Sequence, residues 1–213
     1  MRRLSMLAVC LLLVATGSGA WACGEHGRRL AGEFHLLAGD ARLLEEGTLP
    51  AHQQRGLRAR LENILGYLPL LARYYAQECG RSAAPLLEAI EELRGGYAAA
   101  AWPVLLERLA ELQRDYPLDL LGILAVRPDP AQIAAGAEIY RTLCQGCHQQ
   151  PDSSRDNPAR DLFASARLQG AEEFAARLLL GVRGVPLTSL ENSLADPDLA
   201  SLQAFLTRGG GAP

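Results

Sequence analysis

Between residues 23 and 116 the apolar positions recur at intervals of three and four, the period of a helix with one buried stripe. Leu30, Phe34, Leu37, Ala41 and Leu44 form the first stripe, and the stretch Gly47 to Pro50 breaks it. Leu57, Leu61, Ile64, Leu65, Leu68, Leu71, Ala72 and Tyr75 predict a second helix, kinked at Pro69 and ending near Cys79-Gly80. Ser82 is expected to cap a third helix that carries Leu86, Leu87, Ile90 and Leu93 and is closed by Gly95-Gly96. Trp102, Leu105, Leu109, Leu112 and Tyr116 mark a fourth. Four amphipathic helices joined by short breaks predict an up-and-down bundle over residues 23–116.

Residues 117–128 are apolar for a linker, so they are expected to pack between two units. In Pro128-Asp129-Pro130, Asp129 suits a helix cap, because Pro at the first helical position lacks an N–H that would have no partner there. Asp196-Pro197 repeats the device, and the last helix is expected to finish at Arg208, leaving 209–213 as a disordered tail. Ile133, Gly136, Tyr140 and Leu143 fall on one helical face, and Leu199, Leu202 and Leu206 on another with Phe205 beside it. Leu, Ala, Arg and Glu dominate while only 6% of the chain is aromatic, so the whole reads as all-α.

A chain of 213 residues, 49% hydrophobic and 21% charged, holds enough apolar mass for one large or two small domains and too much for a disordered segment. Acidic residues outnumber basic ones, 24 to 21, which argues against a nucleic-acid partner. Every basic residue is Arg, so no Lys can serve as a metal ligand. Arg55, Arg58 and Arg60 are expected to form a solvated helix face.

The N-terminus has the layout of an export signal over residues 1–22: Arg2-Arg3, the apolar run Leu4 to Ala15, and small residues ending in Ala20-Trp21-Ala22. That apolar run is too short to span a bilayer, which takes roughly 20 residues. The mature chain is then expected to begin near Cys23 in an oxidising compartment, the periplasm, with no integral membrane span; lipid anchoring at Cys23 is the weaker alternative. In an antiparallel hairpin Cys23 and Cys79 lie at adjoining helix ends, where a disulfide would stabilise by about 4 kcal/mol. Two unpaired thiols, or a lipidated Cys23 with a free Cys79, are the other possibilities.

Cys144-Gln145-Gly146-Cys147-His148 is a C-x-x-C-H sequence, the attachment pattern of a c-type haem. The spacing lets two thiols reach one macrocycle, and the adjoining histidine lies where it can bind the iron. The chain's own composition yields about 0.002 such matches by chance. A thioredoxin-like redox pair would need a βαβ setting, and half a zinc site would need a second Cys or His pair nearby; the sequence offers neither.

From Asp129 to Arg208 these residues resemble the class I c-type cytochromes. Gly136-Ala137-Glu138-Ile139-Tyr140 looks like that family's first-helix pattern of Gly and an aromatic four residues on, with Phe205 as the aromatic partner on the last helix. Ala171 to Leu180 fits its middle helix. The resemblance implies one covalent haem c held by Cys144 and Cys147, with His148 as proximal ligand and Tyr140 and Leu187 lining the group. It also implies that the carbonyl of Pro158, in Asn157-Pro158, orients His148.

One departure matters. The family's second ligand is usually a Met in a G-x-P-M-like segment, and here that segment reads Gly184-Val185-Pro186-Leu187. The only methionines are Met1 and Met6, and His148 is the only histidine of 129–208. The sixth position is therefore open, filled by an unusual group such as Glu191 or Asn192, or filled from outside, with His35 the leading candidate beside His26 and His52.

The expected function is a periplasmic mono-haem electron carrier that serves redox partner proteins, and not an enzyme. A haem protein open to NO or CO, as sensor or enzyme, is the alternative. In a third reading, compatible with both, the bundle docks the haem unit onto a larger oxidoreductase.

Overall fold

The computed structural model describes residues 24–124, 127–181 and 194–209, and all regular structure among them is helical. Residues 1–23, 125–126 and 210–213, and the 182–193 segment with Leu187, Glu191 and Asn192, lie outside the described residues.

Helix α1 (Gly24–Glu46) is covered on several sides, by α2 (Ala51–Glu78), by α4 (Trp102–Asp115) and by α8 (Ala171–Leu180). The reason is a second pattern superimposed on the expected stripe. Leu30, Phe34, Leu37, Ala41 and Leu44 enter a core shared with α2, α3 (Ala84–Ala98) and α4. Gly32 and Gly39, one heptad apart, lie flush on a different face. A Cβ at Gly32 would meet Leu180 at 3.0 Å, and one at Gly39 would strike the Glu173 carboxylate and the Arg177 guanidinium. The missing side chains let α8 lie close against α1.

α2 carries the predicted apolar set and runs through Pro69. A proline removes the N–H that would bond the carbonyl four residues earlier, here that of Leu65. Arg94 of α3 supplies the replacement, donating from Nε at 3.1 Å and Nη2 at 2.8 Å to the Leu65 carbonyl. An orphan created within one helix is thus satisfied by its neighbour.

α3 does not stop at Gly95-Gly96. It continues to Ala98 because Tyr97 is anchored, its hydroxyl donating to Glu62 at 2.8 Å and its ring meeting Trp102 edge-on at 6.0 Å. The stop is Ala100, at φ +50°, with Ala101 N–H donating to the Gly96 carbonyl and Ala100 N–H to that of Tyr97, a Schellman closure. Ser82 lies one residue further out than a true cap and accepts from Ala84 N–H at 3.2 Å.

His26 N–H donates to Glu78 Oε2 at 3.2 Å, so the start of α1 lies beside the end of α2. A Cys23–Cys79 bridge would need that neighbourhood. The linker packs as expected: Leu118 touches the four-helix core and a second cluster of Leu120, Ile123, Ala175 and Leu199. Arg28 of α1 donates to the Asp119 carbonyl at 3.0 Å and to Asp196 at 2.9 Å.

Beyond the linker, Asp129 caps α5 (Pro130–Ile139) by accepting from Gln132 N–H at 2.7 Å. The Asp196 expectation is off by one residue: Ala195 is the cap of α9 (Asp196–Ala204), and Asp198 accepts Ala195 N–H at 3.3 Å, which frees Asp196 for Arg28. α5 crosses α9 at Gly136, where a Cβ would collide with the Ser201 carbonyl and lie 2.8 Å from Phe205 Cβ. Gly136→Ala is expected to cost about 1–3 kcal/mol of overpacking, read as a lower denaturant midpoint at unchanged slope. Beside the crossing, Tyr140, Phe163 and Phe205 form three ring contacts at 5.1 to 5.7 Å between centroids.

α8 is the joint of the molecule. Ala176 and Leu180 join the four-helix core, Ala175 the linker cluster, and Phe174 the cluster with Tyr140, Leu202 and Leu206. Among the described residues, no helix is long and apolar enough to cross a membrane.

Candidate functional site

After α5 the chain passes through one wide turn, Tyr140–Cys144, in which Gln145 N–H donates to the Tyr140 carbonyl five residues back. The extra residue rotates the next part of the chain off the α5 stripe. Leu143, expected on the buried face, is 62% exposed for this reason. The same rotation sets Cys144, half-buried, against the Tyr140 cluster and leaves Cys147 exposed on the short helix α6 (Gln145–His148).

Both cysteines are free thiols. Burial pushes the Cys144 thiol above its ordinary range, and the neighbouring Cys147 adds to this. A raised thiol is the opposite of what an attacking redox pair needs. No group of three or more His, Cys, Asp or Glu suited to a metal ion occurs among the described residues.

His148 is half-buried, and its Nδ1 donates to the Arg160 carbonyl at 2.5 Å. That bond places the proton on Nδ1 and leaves the Nε2 lone pair free for a metal. The resemblance assigned this carbonyl to Pro158, and the structure corrects it to Arg160. The chain reaches His148 only at the end of the loop, where Asp161 caps α7 (Leu162–Leu168) by accepting from Ala164 N–H at 3.0 Å. α7 is an element that the apolar pattern did not predict; the signal was the Asp161 cap ahead of Leu162-Phe163.

The Arg160 side chain enters a buried cluster of charge. Asp40 of α1, fully buried, accepts from Arg60 Nε at 2.5 Å and Nη2 at 2.6 Å, and from Arg177 Nη2 at 3.0 Å. Glu173 accepts from Arg42 at 2.7 Å and from Arg177 at 2.9 Å. Burial lowers the Arg160 pKa, and the Arg60 and Arg177 charges lower it further against Asp40 and Glu173. Of the stretch expected as a solvated arginine face, Arg60 is engaged here and Arg58 lies over the Trp102 ring at 5.3 Å, while Arg55 stays exposed, 3.6 Å from Asp156.

Two of the other histidines are hydrogen-bonded. His26 Nδ1 meets Glu78 at 2.5 Å, with its ring on Tyr74, and His52 Nε2 donates to the Ser153 carbonyl at 3.0 Å. His35 is buried on the α8 side of α1; burial lowers its pKa, opposed by Glu172 and Glu173. Leu187 falls outside the described residues.

The donor set fits a covalent haem: two unengaged thiols one turn apart, a histidine with its ring fixed and Nε2 free, and exposed Leu143 and Leu168 available for cover. Comparison with protein-family models, with curated proteins and with solved structures finds no match.

Proposed function

We propose that this chain is an exported mono-haem c-type protein that transfers electrons, with Cys144 and Cys147 as attachment points and His148 as iron ligand. The observation that carries the reading is the Arg160 carbonyl on His148 Nδ1, next to two free thiols. A ring held through Nδ1 presents Nε2 to a metal. Each thiol would add its S–H across a vinyl group, forming one S–C bond with no leaving group. Bound there, haem supplies a one-electron ferric/ferrous couple. The chain's own residues do the rest: Arg160 fixes the ring, the aromatic cluster excludes water behind Cys144, and exposed Cys147 marks the edge that faces partners. The 1–22 pattern assigns the work to the periplasm.

A second reading, an open site for NO or CO, is favoured by the engagement of His26 and His52 elsewhere and by the lack of Met after residue 6. Absorption and EPR spectra of the purified protein with and without CO separate the two. A low-spin ferric signal indifferent to CO supports electron transfer, with a potential below that of His/Met proteins. A high-spin signal with ready CO binding supports the open site. A protein carrying no covalent haem overturns both.

A further inference from the structure

The loop that carries Arg160 is held from outside. Between Asp156 and Arg160 it makes no backbone-to-backbone hydrogen bond among the described residues. The start of α2 holds it instead. His52 and Gln53 both donate to the Ser153 carbonyl, at 3.0 and 3.4 Å, and Asn157 Nδ2 donates to the Gly56 carbonyl at 3.3 Å. At Gly56 the two backbones touch: a Cβ there would collide with the Asp156 carbonyl oxygen, lie 2.6 Å from its carbon and 2.8 Å from Asn157 Oδ1. Main-chain atoms cannot swing aside as a flexible side-chain tip can. Four residues after Asp156 comes the carbonyl on which His148 rests. Gly66, on the same helix, has open space around it.

We propose that the four-helix unit positions the axial histidine, with Gly56 of α2 a positioning residue that sets the His148 ring through the Asp156–Arg160 segment. The inference rests on His148 being the iron ligand. The unit is then more than a docking module, because its packing fixes how much electron density the imidazole delivers. An Nδ1–H donating to a well-placed carbonyl makes the ring a stronger donor and favours the ferric state. Loosening that bond favours the ferrous state.

The test is Gly56→Ala in the full-length holoprotein, with Gly66→Ala as the matched control. Equilibrium redox titration is expected to show a higher potential for Gly56→Ala. At the wild-type midpoint the ferrous-to-ferric ratio should rise about tenfold, which is about 59 mV for one electron; Gly66→Ala should leave it unchanged. If Gly56→Ala does not fold, Asn157→Ala and the pair His52→Ala with Gln53→Ala should shift the potential the same way by less. Variants that lose stability but keep the wild-type potential and EPR signal overturn the proposal. Should the wild-type chain carry no covalent haem, the functional reading fails first. The positioning is then read on the haem-free chain by nitrogen NMR of His148. Wild type should hold the Nδ1-protonated tautomer and Gly56→Ala should release it to a mixture; identical tautomers overturn the inference.

Discussion

Replacing Cys144 and Cys147 together by alanine is expected to abolish covalently held haem. In denaturing acid extraction the pigment should stay with the wild-type polypeptide and leave the variant entirely, while each single variant keeps one thioether and part of the colour. The structure makes this a clean experiment. Cys147 is exposed and Cys144 only half-buried, so their truncation alone should change stability by about 0.5 kcal/mol or less. Any larger fall in melting temperature of the double variant, relative to wild type, measures what the group contributes to a small C-terminal core. Equal colour retention in variant and wild type after extraction would remove the assignment.

Asp40→Asn is expected to cost about 3–5 kcal/mol, a large part of the 5–15 kcal/mol that a folded domain has in total. The carboxylate is fully buried and holds Arg60 of α2 and Arg177 of α8 at once, so neutralising it leaves Arg60 without a carboxylate and Arg177 with Glu173 alone. Urea unfolding should show a midpoint far below wild type. The pH dependence carries its own signature. Burial pushes the Asp40 pKa up, but Arg60 and Arg177 outweigh it and hold the carboxyl below its ordinary 3.8. A depressed native pKa contributes stability that is complete above the unfolded value, about 3.9, and disappears as the pH falls through the native one. Asp40→Asn should therefore flatten the acid limb of the stability curve below about pH 4 and lower the plateau above it. An unchanged acid limb would show that the cluster is not what couples the helices.

The helices of the four-helix unit were legible because each carries one stripe of Leu and Ile at a regular period, and a stripe of that kind has one way to be buried. α1 escaped a full reading because its second face is written in glycines, which produce no hydropathy signal and reveal themselves only when α8 lies on them. The end of α3 was misjudged for the converse reason: Gly95 and Gly96 look like a stop, yet Tyr97 binds the last turn to Glu62 and Trp102. At the site, Cys144, Cys147 and His148 could be read directly because their chemistry lies in side chains at a fixed spacing. Arg160 could not, since it serves His148 with a main-chain carbonyl, which every residue has. Gly56 and Asp40 were equally silent, because Asp156 and Arg177, the partners that give them their roles, lie a hundred residues or more away in the chain.

The seam between α1 and α8 also dictates an order of events. Asp40 and Arg177, bonded across it, are 137 residues apart, and a chain made or threaded N-terminus first presents α1 long before α8 exists. The four-helix core can close on its own stripe, but the Gly32–Gly39 groove stays wet and the aspartate, paired with Arg60, must wait for Arg177 from the last third of the molecule. Half-made chains thus carry an open slot floored by an aspartate that only Arg60 yet pairs, and full cooperativity arrives only with the final helices. A polypeptide halted before α8 should remain a loose four-helix intermediate, sensitive to proteases at the very surface that the finished protein hides.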